Sequence, residues 1–428
     1  MTTTSGDREG GTVFSVTALA DDLSGAAETA AALGPGGRVV LTAPEAGPPA
    51  STTPRARPVQ PRHPGPTVYD CNLRHASEQD ALACMRDALA ALAHERSRLF
   101  IKVDSLLRGN LPAVLRAAHE SGRLAVLAPA LPAAGRTLVG GEPRVDGRTL
   151  AESRLWSAEL SPPPRHIDEL LEGLPHRLVT LGAVRGGGMA AEVTAARHGG
   201  AIVIADAVND ADLDAIAGAV WGPSGDPTAI LLGTRGLAEA VGRLNGAAGV
   251  ASFLAHEGAA APPAAGGILV VVGSADARAH EQFDRLAAEP GIRASALTPA
   301  ALLAPSPPSA PFQPHGGVTA VRIEPGAVDP AQSRRLADAL ARIVAQAMGA
   351  AATPIGTVVV IGGESSRALL DRIGARELRI LDTAEAGTVR SLVHVPGRAP
   401  FQLVTRPGSF GARDSLSQLV RALSARVP

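Results

Sequence analysis

The sequence predicts an α/β protein of two domains. Each should carry a mostly parallel or mixed sheet flanked by helices, with the active site in the cleft between the domains. Short apolar, β-branched runs alternate with helical patterns along the chain, as in βαβ units. A length of 428 residues accommodates two or three domains of roughly 150 residues. Residues 257–267 (EGAAAPPAAGG) have the composition of a linker, so we predict domains at 1–256 and 268–428.

Composition excludes several classes of protein. The net charge of -1 gives no basic excess for a nucleic-acid partner, and no apolar run reaches the ~18 residues of a membrane span. Cys71 and Cys84 are too few for a disulfide framework or a metal quartet. The N-terminal MTTTSGDREGG lacks the apolar core of a signal peptide, so we expect a cytoplasmic protein. An even, Ala-rich surface is compatible with a homodimer.

In the N-terminal part, apolar runs predict strands at Val13–Leu19, Arg38–Leu41, Thr67–Tyr69, Leu99–Val103, Leu124–Leu127, Arg177–Leu181, Ala201–Ile204 and Ala229–Leu232. Helical patterns between them lie at Gly25–Leu33, Glu78–Arg96 and Ala211–Trp221. The stretch Ala43–Pro66 is Pro-rich without periodicity, which indicates a loop or a disordered insert.

In the C-terminal part, strands are predicted at Ile268–Val272, Thr357–Ile361, Ser391–Val395 and Phe401–Thr405. Helices are predicted at Ala275–Ala288, Ala331–Met348 and Ser415–Ala425. A second Pro-rich loop covers Ala304–Gly317. This alternation repeats the pattern of the first domain.

Two adjacent carboxylates, Asp21 and Asp22, follow the first strand and are followed by Ser24 and Gly25. Ligands of α/β proteins bind at the carboxyl ends of strands, which favours a site here. In the alternative interpretation, Asp22 or Ser24 only caps the following helix. Adjacent carboxylates repel each other, and a cap needs only one of them.

Two further strands end in charged residues. VYDCNLR places Arg74 after the third strand, and a guanidinium matches a carboxylate bidentately, although a solvated loop arginine is also compatible. IKVDSLLRGN brings Lys102, Asp104, Ser105 and Arg108 together at the end of a buried strand, and Lys102 is the only lysine in the chain. The alternative there is a Lys–Asp pair with a helix cap.

Later segments add a loop and three glycine turns. The loop 128–141 (APALPAAGRTLVGG) is either a lid over a pocket or a simple connection. In the C-terminal part, VVGS, VIGGESS and TRPGSFG follow strands, and together they favour a phosphate cradle. None of them fits the P-loop or dinucleotide-binding pattern.

Taken in order, these motifs resemble those of the four-carbon acid sugar kinase family. ADDLSGA is similar to that family's ADDxTGA, DCNLR to its arginine motif, KVDSLLRGN to its KxDSTLRGN and APALPAAGRT to its proline and GR segment. GSADARAHEQ, IGGESSRALL and RPGSFGARDSL resemble its nucleotide-binding motifs. The resemblance covers nearly the whole chain, with departures at Ser24, Leu106, Asp276, Ala279, Arg406 and Pro407.

The resemblance implies an acid-sugar-binding domain followed by an ATP-binding domain, and transfer of the ATP γ-phosphoryl group to the terminal hydroxyl of a four-carbon sugar acid. The catalytic candidates are Asp21, Asp22 and Asp104. The substrate-binding candidates are Asp21, Arg74, Lys102, Asp104, Ser105 and Arg108. The nucleotide-binding candidates are Ser274, Gly362, Gly363, Glu364, Ser365 and Gly408.

From charge alone, Arg74 and Lys102 would hold the sugar carboxylate, and one of the aspartates would accept the proton of the attacking hydroxyl. The sequence leaves open which aspartate does so. ATP would bring Mg²⁺, held mainly by phosphate oxygens, with Glu364 as a candidate ligand.

D-Threonate or D-erythronate is the expected substrate, because the arginine-containing DSxLRGN resembles those kinases most. Three alternatives stay open. The first is a 3-oxo-tetronate 4-kinase. The second is a catalytically weak homologue that binds a sugar acid or nucleotide as a regulator. The third is a Mg²⁺-dependent hydrolase or lyase that uses the Asp21–Asp22 pair.

Overall fold

The computed structural model describes residues 14–42, 65–156, 162–246, 266–304, 311–326, 330–385 and 387–425. The predicted Pro-rich loop 43–66 and linker 257–267 lie almost wholly outside these ranges, as does part of the loop 304–317. Within the ranges, no helix is both long enough and apolar enough to cross a membrane.

The strands of the N-terminal part are β1 (Val16–Ala20), β2 (Arg38–Leu41), β3 (Thr67–Asp70), β4 (Arg98–Lys102), β5 (Ala125–Ala128), β6 (Arg136–Val139), β7 (Glu142–Val145), β8 (Arg148–Thr149), β9 (His176–Val179), β10 (Ile202–Ala205) and β11 (Ile230–Gly233). Its helices are α1 (Leu23–Leu33), α2 (Glu78–Ala91), α3 (Leu111–Glu120), α4 (Leu181–Arg185), α5 (Met189–Gly199), α6 (Asp210–Trp221) and α7 (Arg235–Leu244).

The strands of the C-terminal part are β12 (Gly267–Val272), β13 (Ile292–Leu297), β14 (Val318–Ile323), β15 (Ile355–Ile361), β16 (Glu377–Glu385), β17 (Thr388–Val393) and β18 (Phe401–Arg406). Its helices are α8 (Ala277–Ala287), α9 (Pro299–Leu303), α10 (Pro330–Ala350), α11 (Gly363–Ile373) and α12 (Ser415–Ser424). Short 3₁₀ turns occur at Pro132–Ala134, Leu150–Glu152, Arg154–Trp156 and Ile167–Leu171.

The predicted strands are confirmed, and their ends differ from the predicted ends by at most three residues. The helix predicted at 78–96 ends earlier, at Ala91, because the chain continues in turns before β4. Among the strands, four features were not predicted from the sequence: β13, β14, β16 and the small antiparallel sheet of β6, β7 and β8. β13 reads IRASAL and is largely exposed at the sheet edge, so it lacks the apolar run of a central strand.

Fifteen strands form one continuous sheet in the order β13-β14-β12-β15-β18-β17-β16-β2-β3-β1-β4-β11-β5-β10-β9. The eight strands from β2 to β9 are parallel, and so are the five from β13 to β18. Antiparallel pairing of β16 with β2 joins the two halves, with Leu378 opposite Val39. The α/β class is confirmed, and the two halves share one sheet.

The core is built from Val, Leu, Ile and Ala on both faces of the sheet, with few aromatic rings. Strands buried on both sides read as continuous apolar runs, as β12 does with GILVVV. The Ala-rich helix α1 packs closely against α7. This rigid framework holds the loops after the strand ends in fixed positions.

Candidate active site

The strands β3, β1 and β4 are neighbours, and their carboxyl ends bring the predicted substrate residues together. Ala20 lies opposite Asp70 on one side and Lys102 on the other. The residues after these strands therefore meet at one place, as the sequence predicted. They form an aspartate cluster, defined here as Asp21, Asp22, Asp104 and the two arginines that contact them, Arg74 and Arg108.

Arg74 is shared by three carboxylates. Its Nη1 lies 2.9 Å from Oδ2 of Asp22, and its Nη2 lies 3.4 Å from Oδ2 of Asp21 and 3.0 Å from Oδ1 of Asp104. Burial opposes the charge of Arg74, but the three carboxylates outweigh it and raise the pKa of the guanidinium. Arg74 is therefore the common counter-ion of the cluster.

Asp104 is the most tightly held carboxylate of the cluster. It accepts hydrogen bonds from Arg74 at 3.0 Å, from Arg108 at 2.9 and 3.0 Å, and from the backbone N–H of Leu106 at 2.9 Å. Burial alone would raise the pKa of Asp104, but Arg74 and Arg108 lower it well below its usual range. Asp104 is thus suited to positioning the two arginines and poorly suited to accepting a proton.

Asp21 differs from Asp104 in that one of its carboxylate oxygens remains available to accept a hydrogen bond. Its Oδ1 is buried and has no hydrogen-bond partner among the residues that the structure describes. Burial raises the pKa of Asp21, and the carboxylates of Asp22 and Asp104 add to that rise against the opposing charge of Arg74. An unsatisfied buried carboxylate oxygen with a raised pKa is what a proton acceptor for a bound hydroxyl requires.

Asp22 combines both predicted roles. Its Oδ1 accepts the backbone N–H of Gly25 at 2.8 Å and so caps α1, while Oδ2 contacts Arg74. A Cβ at Gly25 would lie 2.6 Å from Oδ1 of Asp22 and 3.1 Å from Nζ of Lys102. Glycine is favoured at this position because a Cβ would collide with the carboxylate of Asp22 that caps α1 and would also crowd Lys102.

Lys102 and Ser105 make no ion pair or hydrogen bond with the three aspartates among the residues described, although the charge of Lys102 acts to lower the pKa of Asp21 and Asp104. Lys102 is only 8% exposed, and its Nζ donates to the carbonyl of Val103 at 3.0 Å. Ser105 accepts a hydrogen bond from Arg136. The loop 128–141, left open between a lid and a connection, forms a 3₁₀ turn followed by β6 and carries Arg136 to this side.

Three residues of this region were not predicted from the sequence: Glu28, Arg136 and Arg235. Glu28 lies one helical turn beyond Gly25, so its position on the face of α1 toward Lys102 was readable from the spacing. Arg136 follows the turn at Gly135, and Arg235 follows the end of β11. Burial raises the pKa of Glu28, and the charges of Lys102, Arg235 and Arg136 oppose that rise.

The predicted nucleotide-binding residues also come together, at the ends of β12, β15 and β18. Helix α11 begins after Gly362, which has a φ of 118° and provides no side-chain cap. A Cβ at Gly408 would lie 1.9 Å from Oγ of Ser274, and one at Gly273 would lie 1.9 Å from Oγ of Ser365. The uncapped N-terminus of α11 and the exposed backbone at the neighbouring glycines fit the phosphate groups of a nucleotide.

Arg406, at the end of β18, contacts the loop that carries Gly408. It is fully buried, and its Nη2 donates to the carbonyl of Phe410 and to Oγ of Ser415, the latter at 2.6 Å. These contacts fold the loop after β18 back on itself. Arg406, which stands where the family's motif has a lysine, therefore stabilises the glycine turn through hydrogen bonds within the loop.

The two halves of the protein touch at the start of α11. A Cβ at Gly363 would lie 2.9 Å from Oγ of Ser24. Glu364 contacts His75 and accepts a hydrogen bond from Ser333 at 2.7 Å, and the bond from His75 lowers the pKa of Glu364. The aspartate cluster thus lies beside the first turn of α11.

A second contact between the halves is fully buried. Arg367 of α11 donates to Oδ2 of Asp70 at 2.6 Å, and also contacts the carbonyl of Thr42 and Asp371. Asp70 has no exposed surface. This pair fixes α11 against the end of β3, next to the loop that carries Arg74.

Few acidic side chains near the glycine turns could serve as ligands of a magnesium ion. Within the described ranges, no group of three or more His, Cys, Asp or Glu side chains could hold a metal ion. Glu364 stands at the N-terminus of α11 with its carboxylate shared by His75 and Ser333. Such a site fits an ion bound mainly by phosphate oxygens, since Mg²⁺ is commonly held by few protein ligands.

Comparison with known proteins defines the class. The family model of a sugar-binding N-terminal domain matches residues 16–241, and that of a nucleotide-binding C-terminal domain matches residues 269–416. The chain is 30% identical to the D-threonate kinase of Cupriavidus necator, over 96% of this chain and 98% of that protein. It is 29% identical to the 3-oxo-tetronate kinase of Pseudomonas fluorescens, over 80% of this chain and 84% of that protein.

The protein is a phosphotransferase with a sugar-binding and a nucleotide-binding domain. It belongs to the four-carbon acid sugar kinase family, which confirms the resemblance found in the motifs. The fold agrees with a crystal structure from Salmonella typhimurium LT2, with a TM-score of 0.70 and 19% identity over 95% of this chain and 98% of that one. The two matched regions lie on either side of the predicted linker 257–267, whose limits stay a prediction.

Proposed function

We propose that this protein transfers the γ-phosphoryl group of ATP to the terminal hydroxyl of D-threonate or D-erythronate, giving the 4-phosphate. The observation that carries the proposal is the unpartnered Oδ1 of Asp21 in the aspartate cluster, whose neighbouring Asp22 lies beside the start of α11. Relatives from Cupriavidus necator and Bordetella bronchiseptica are named D-threonate kinases, each 30% identical to this chain. They support the choice of substrate.

In the proposed reaction, the terminal hydroxyl oxygen bonds to the γ-phosphorus while the bond from that phosphorus to the β,γ-bridging oxygen breaks. The hydroxyl proton passes to Oδ1 of Asp21, and ADP leaves. Asp104 and Arg74 hold the cluster in place, and Asp22 keeps α1 anchored beside it. Phosphoryl transfer depends mainly on such positioning and on charge stabilisation.

The residues of the cradle would hold the nucleotide from several sides. Backbone N–H groups at Gly363, Glu364 and Ser365 begin α11 and suit the phosphates, and Ser274 lies close both to Gly362 and to Gly408. Mg²⁺, held by the phosphates with Glu364 as the candidate protein ligand, would neutralise phosphate charge. The contact between Gly363 and Ser24 supports transfer at the junction of the two domains.

A 3-oxo-tetronate 4-kinase is the alternative, supported by relatives with that name, such as the one from Pseudomonas fluorescens. The catalytically weak regulator and the Mg²⁺-dependent hydrolase or lyase are less well supported, because curated relatives are named as kinases. An assay of ATP consumption separates the two kinases from the regulator, and activity on a phosphorylated substrate without ATP would indicate the hydrolase or lyase.

The test measures ATP consumption with Mg²⁺ against D-threonate, D-erythronate, their L-enantiomers, the 3-oxo-tetronates and D-glycerate. We expect turnover with D-threonate or D-erythronate. Turnover only with a 3-oxo-tetronate would replace the proposed substrate with the alternative. ATP binding without turnover on any acid would overturn the kinase in favour of the regulator.

Asp21→Asn tests the assignment of the proton acceptor. We expect kcat to fall about 10²- to 10⁴-fold, the usual contribution of general-base catalysis, with little change in the KM of ATP. Asp22→Asn is the matched control, because asparagine also caps helices and should lower kcat less. A larger loss in Asp22→Asn than in Asp21→Asn would assign the proton to Asp22.

A further inference from the structure

The loop after β3 contacts α11 at two successive turns. Oδ2 of Asp70, the last residue of β3, accepts a hydrogen bond from Nη1 of Arg367 at 2.6 Å. Five residues later, Nε2 of His75 contacts Oε1 of Glu364. Glu364 and Arg367 lie three residues apart on α11, so they face the same side of the helix. The sugar-binding half therefore contacts the first turn of α11 through His75 and the following turn through Asp70.

The same loop is fixed to the aspartate cluster. The backbone N–H of Leu73 donates to the carbonyl of Asp21 at 2.8 Å. The side-chain amide of Asn110 donates to the carbonyls of Leu73 and Ala76, at 2.8 and 3.0 Å. These bonds hold the loop on both sides of Arg74, whose guanidinium contacts the three aspartates. The position of the histidine that follows Arg74 is therefore set by the same backbone that positions the cluster.

The first turn of α11 depends on side-chain contacts for its position. The N–H groups of a first helical turn have no partner within the helix, and the N-cap glycine provides no side-chain cap. Glu364 is contacted from both halves of the protein, since Ser333 of α10 donates to its Oε2 at 2.7 Å and His75 of the other half contacts its Oε1. A Cβ at Gly363 would lie 3.6 Å from Oδ2 of Asp22. The turn thus lies next to the aspartate cluster, and His75 joins the two.

We propose that His75 is a positioning residue, which holds the first turn of α11 at a fixed distance from the aspartate cluster. It acts through Glu364 and needs no contact with either substrate. The inference rests on the proposed function, in which the cradle holds the phosphoryl donor and Asp21 accepts the proton of the attacking hydroxyl. Such a reaction requires near contact of the reacting atoms, and a misplacement of about 1 Å can lower the rate ~10²-fold. The contact of His75 with Glu364 connects the two elements whose separation matters.

The first test compares His75→Ala with His94→Ala in the full chain. His94 is exposed on the same half of the protein and is the matched control. With the sugar acid that the wild type phosphorylates, we expect kcat of His75→Ala to fall about 10- to 100-fold. The dissociation constants of the acid and of ADP, measured by calorimetry, should stay unchanged, because the residues proposed to bind each ligand are intact. His75→Gln should recover most of kcat, since its amide N–H can replace Nε2 in the contact with Glu364.

Hydrogen exchange separates this inference from the proposed function, because it needs neither nucleotide nor turnover. The backbone N–H of Ser366 donates to the carbonyl of Gly362 at 3.0 Å and closes the first turn of α11. This amide should exchange several-fold faster in His75→Ala than in the wild type or in His94→Ala, while exchange in the core strand β12 stays unchanged. Local acceleration together with an inactive wild type would support the role of His75 and refute the proposed function. Unchanged exchange at Ser366 would overturn the inference even if the enzyme is active.

A double variant shows whether His75 acts through Glu364. In the Glu364→Ala background, His75→Ala should change neither kcat nor the exchange of the first turn any further, because the partner of the contact is already absent. Losses that multiply would assign the effect of His75 to another contact and overturn the inference. An unchanged kcat in His75→Ala alone, in an enzyme that phosphorylates a sugar acid, would overturn it while the kinase stands.

Discussion

Replacing Arg74 with glutamine should destabilise the folded protein, because Arg74 neutralises three carboxylates at once. The guanidinium lies within 3.4 Å of Asp21, Asp22 and Asp104, and its side chain is 26% exposed. Removing one partner of a buried ion pair costs about 3–5 kcal/mol. Because Arg74 retains some contact with solvent, we expect a loss near the lower end, about 3 kcal/mol in the free energy of unfolding at pH 7.5.

The sign of the pH dependence follows from the same contacts. Without Arg74, burial and repulsion from Asp22 and Asp104 raise the pKa of Asp21 in the folded protein still further above that of the unfolded chain. The folded variant then binds protons more tightly, so its free energy of unfolding falls as pH rises. The loss relative to the wild type should therefore be smaller at pH 4.5 than at pH 7.5.

Urea denaturation of Arg74→Gln at both pH values measures this effect, with Arg86→Gln as the control. Arg86 donates to Glu120 at 2.5 and 2.7 Å, but the pair is exposed, so its loss should change the free energy of unfolding little. An Arg74→Gln protein as stable as Arg86→Gln, with only the KM for the sugar acid raised, would refute the reasoning. Arg74 would then serve as a substrate ligand and not as the counter-ion of the cluster.

Two other predictions concern the nucleotide cradle and the buried contact between the halves. Gly408→Ala should raise the KM of ATP about tenfold, because its Cβ would lie 1.9 Å from Oγ of Ser274. Gly349→Ala is the control, since its Cβ has room and the KM of ATP should not change. Equal KM values for the two variants in steady-state kinetics would contradict this prediction. Burial raises the pKa of Asp70 to about 6 from 3.8 despite Arg367, so ionisation of Asp70 lowers the free energy of unfolding as pH rises from about 4 to about 6. Asp70→Asn should show a flatter dependence in urea denaturation over that range, and parallel curves would contradict the shift.

The sequence predicted most of the site because the chemistry lies just after strands. Asp21, Arg74 and Asp104 each follow an apolar run, and parallel neighbours bring such residues to one place. The glycine turns near Gly362 and Gly408 were recognised for the same reason. These features are local, since a strand, a turn and a helix start are each encoded within about ten residues.

The partners of those residues could not be read from the sequence. Charge alone assigned Arg74 to the sugar carboxylate, whereas the structure surrounds it with three aspartates of the chain itself. Arg136 reaches the site from a small antiparallel sheet that the apolar pattern did not reveal. Ion-pair partners depend on distances between elements that are far apart in sequence, and a local sequence pattern contains no information on those distances.

By itself, the sequence determined the α/β class, the family and the position of the aspartates and glycine turns at strand ends. Only the tertiary structure decided that the halves share one sheet through β2 and β16, and that α11 meets α1 beside Asp22. The physical reason is that side-chain periodicity specifies each element and its buried face, while strand order and long-range packing fix which charges become neighbours.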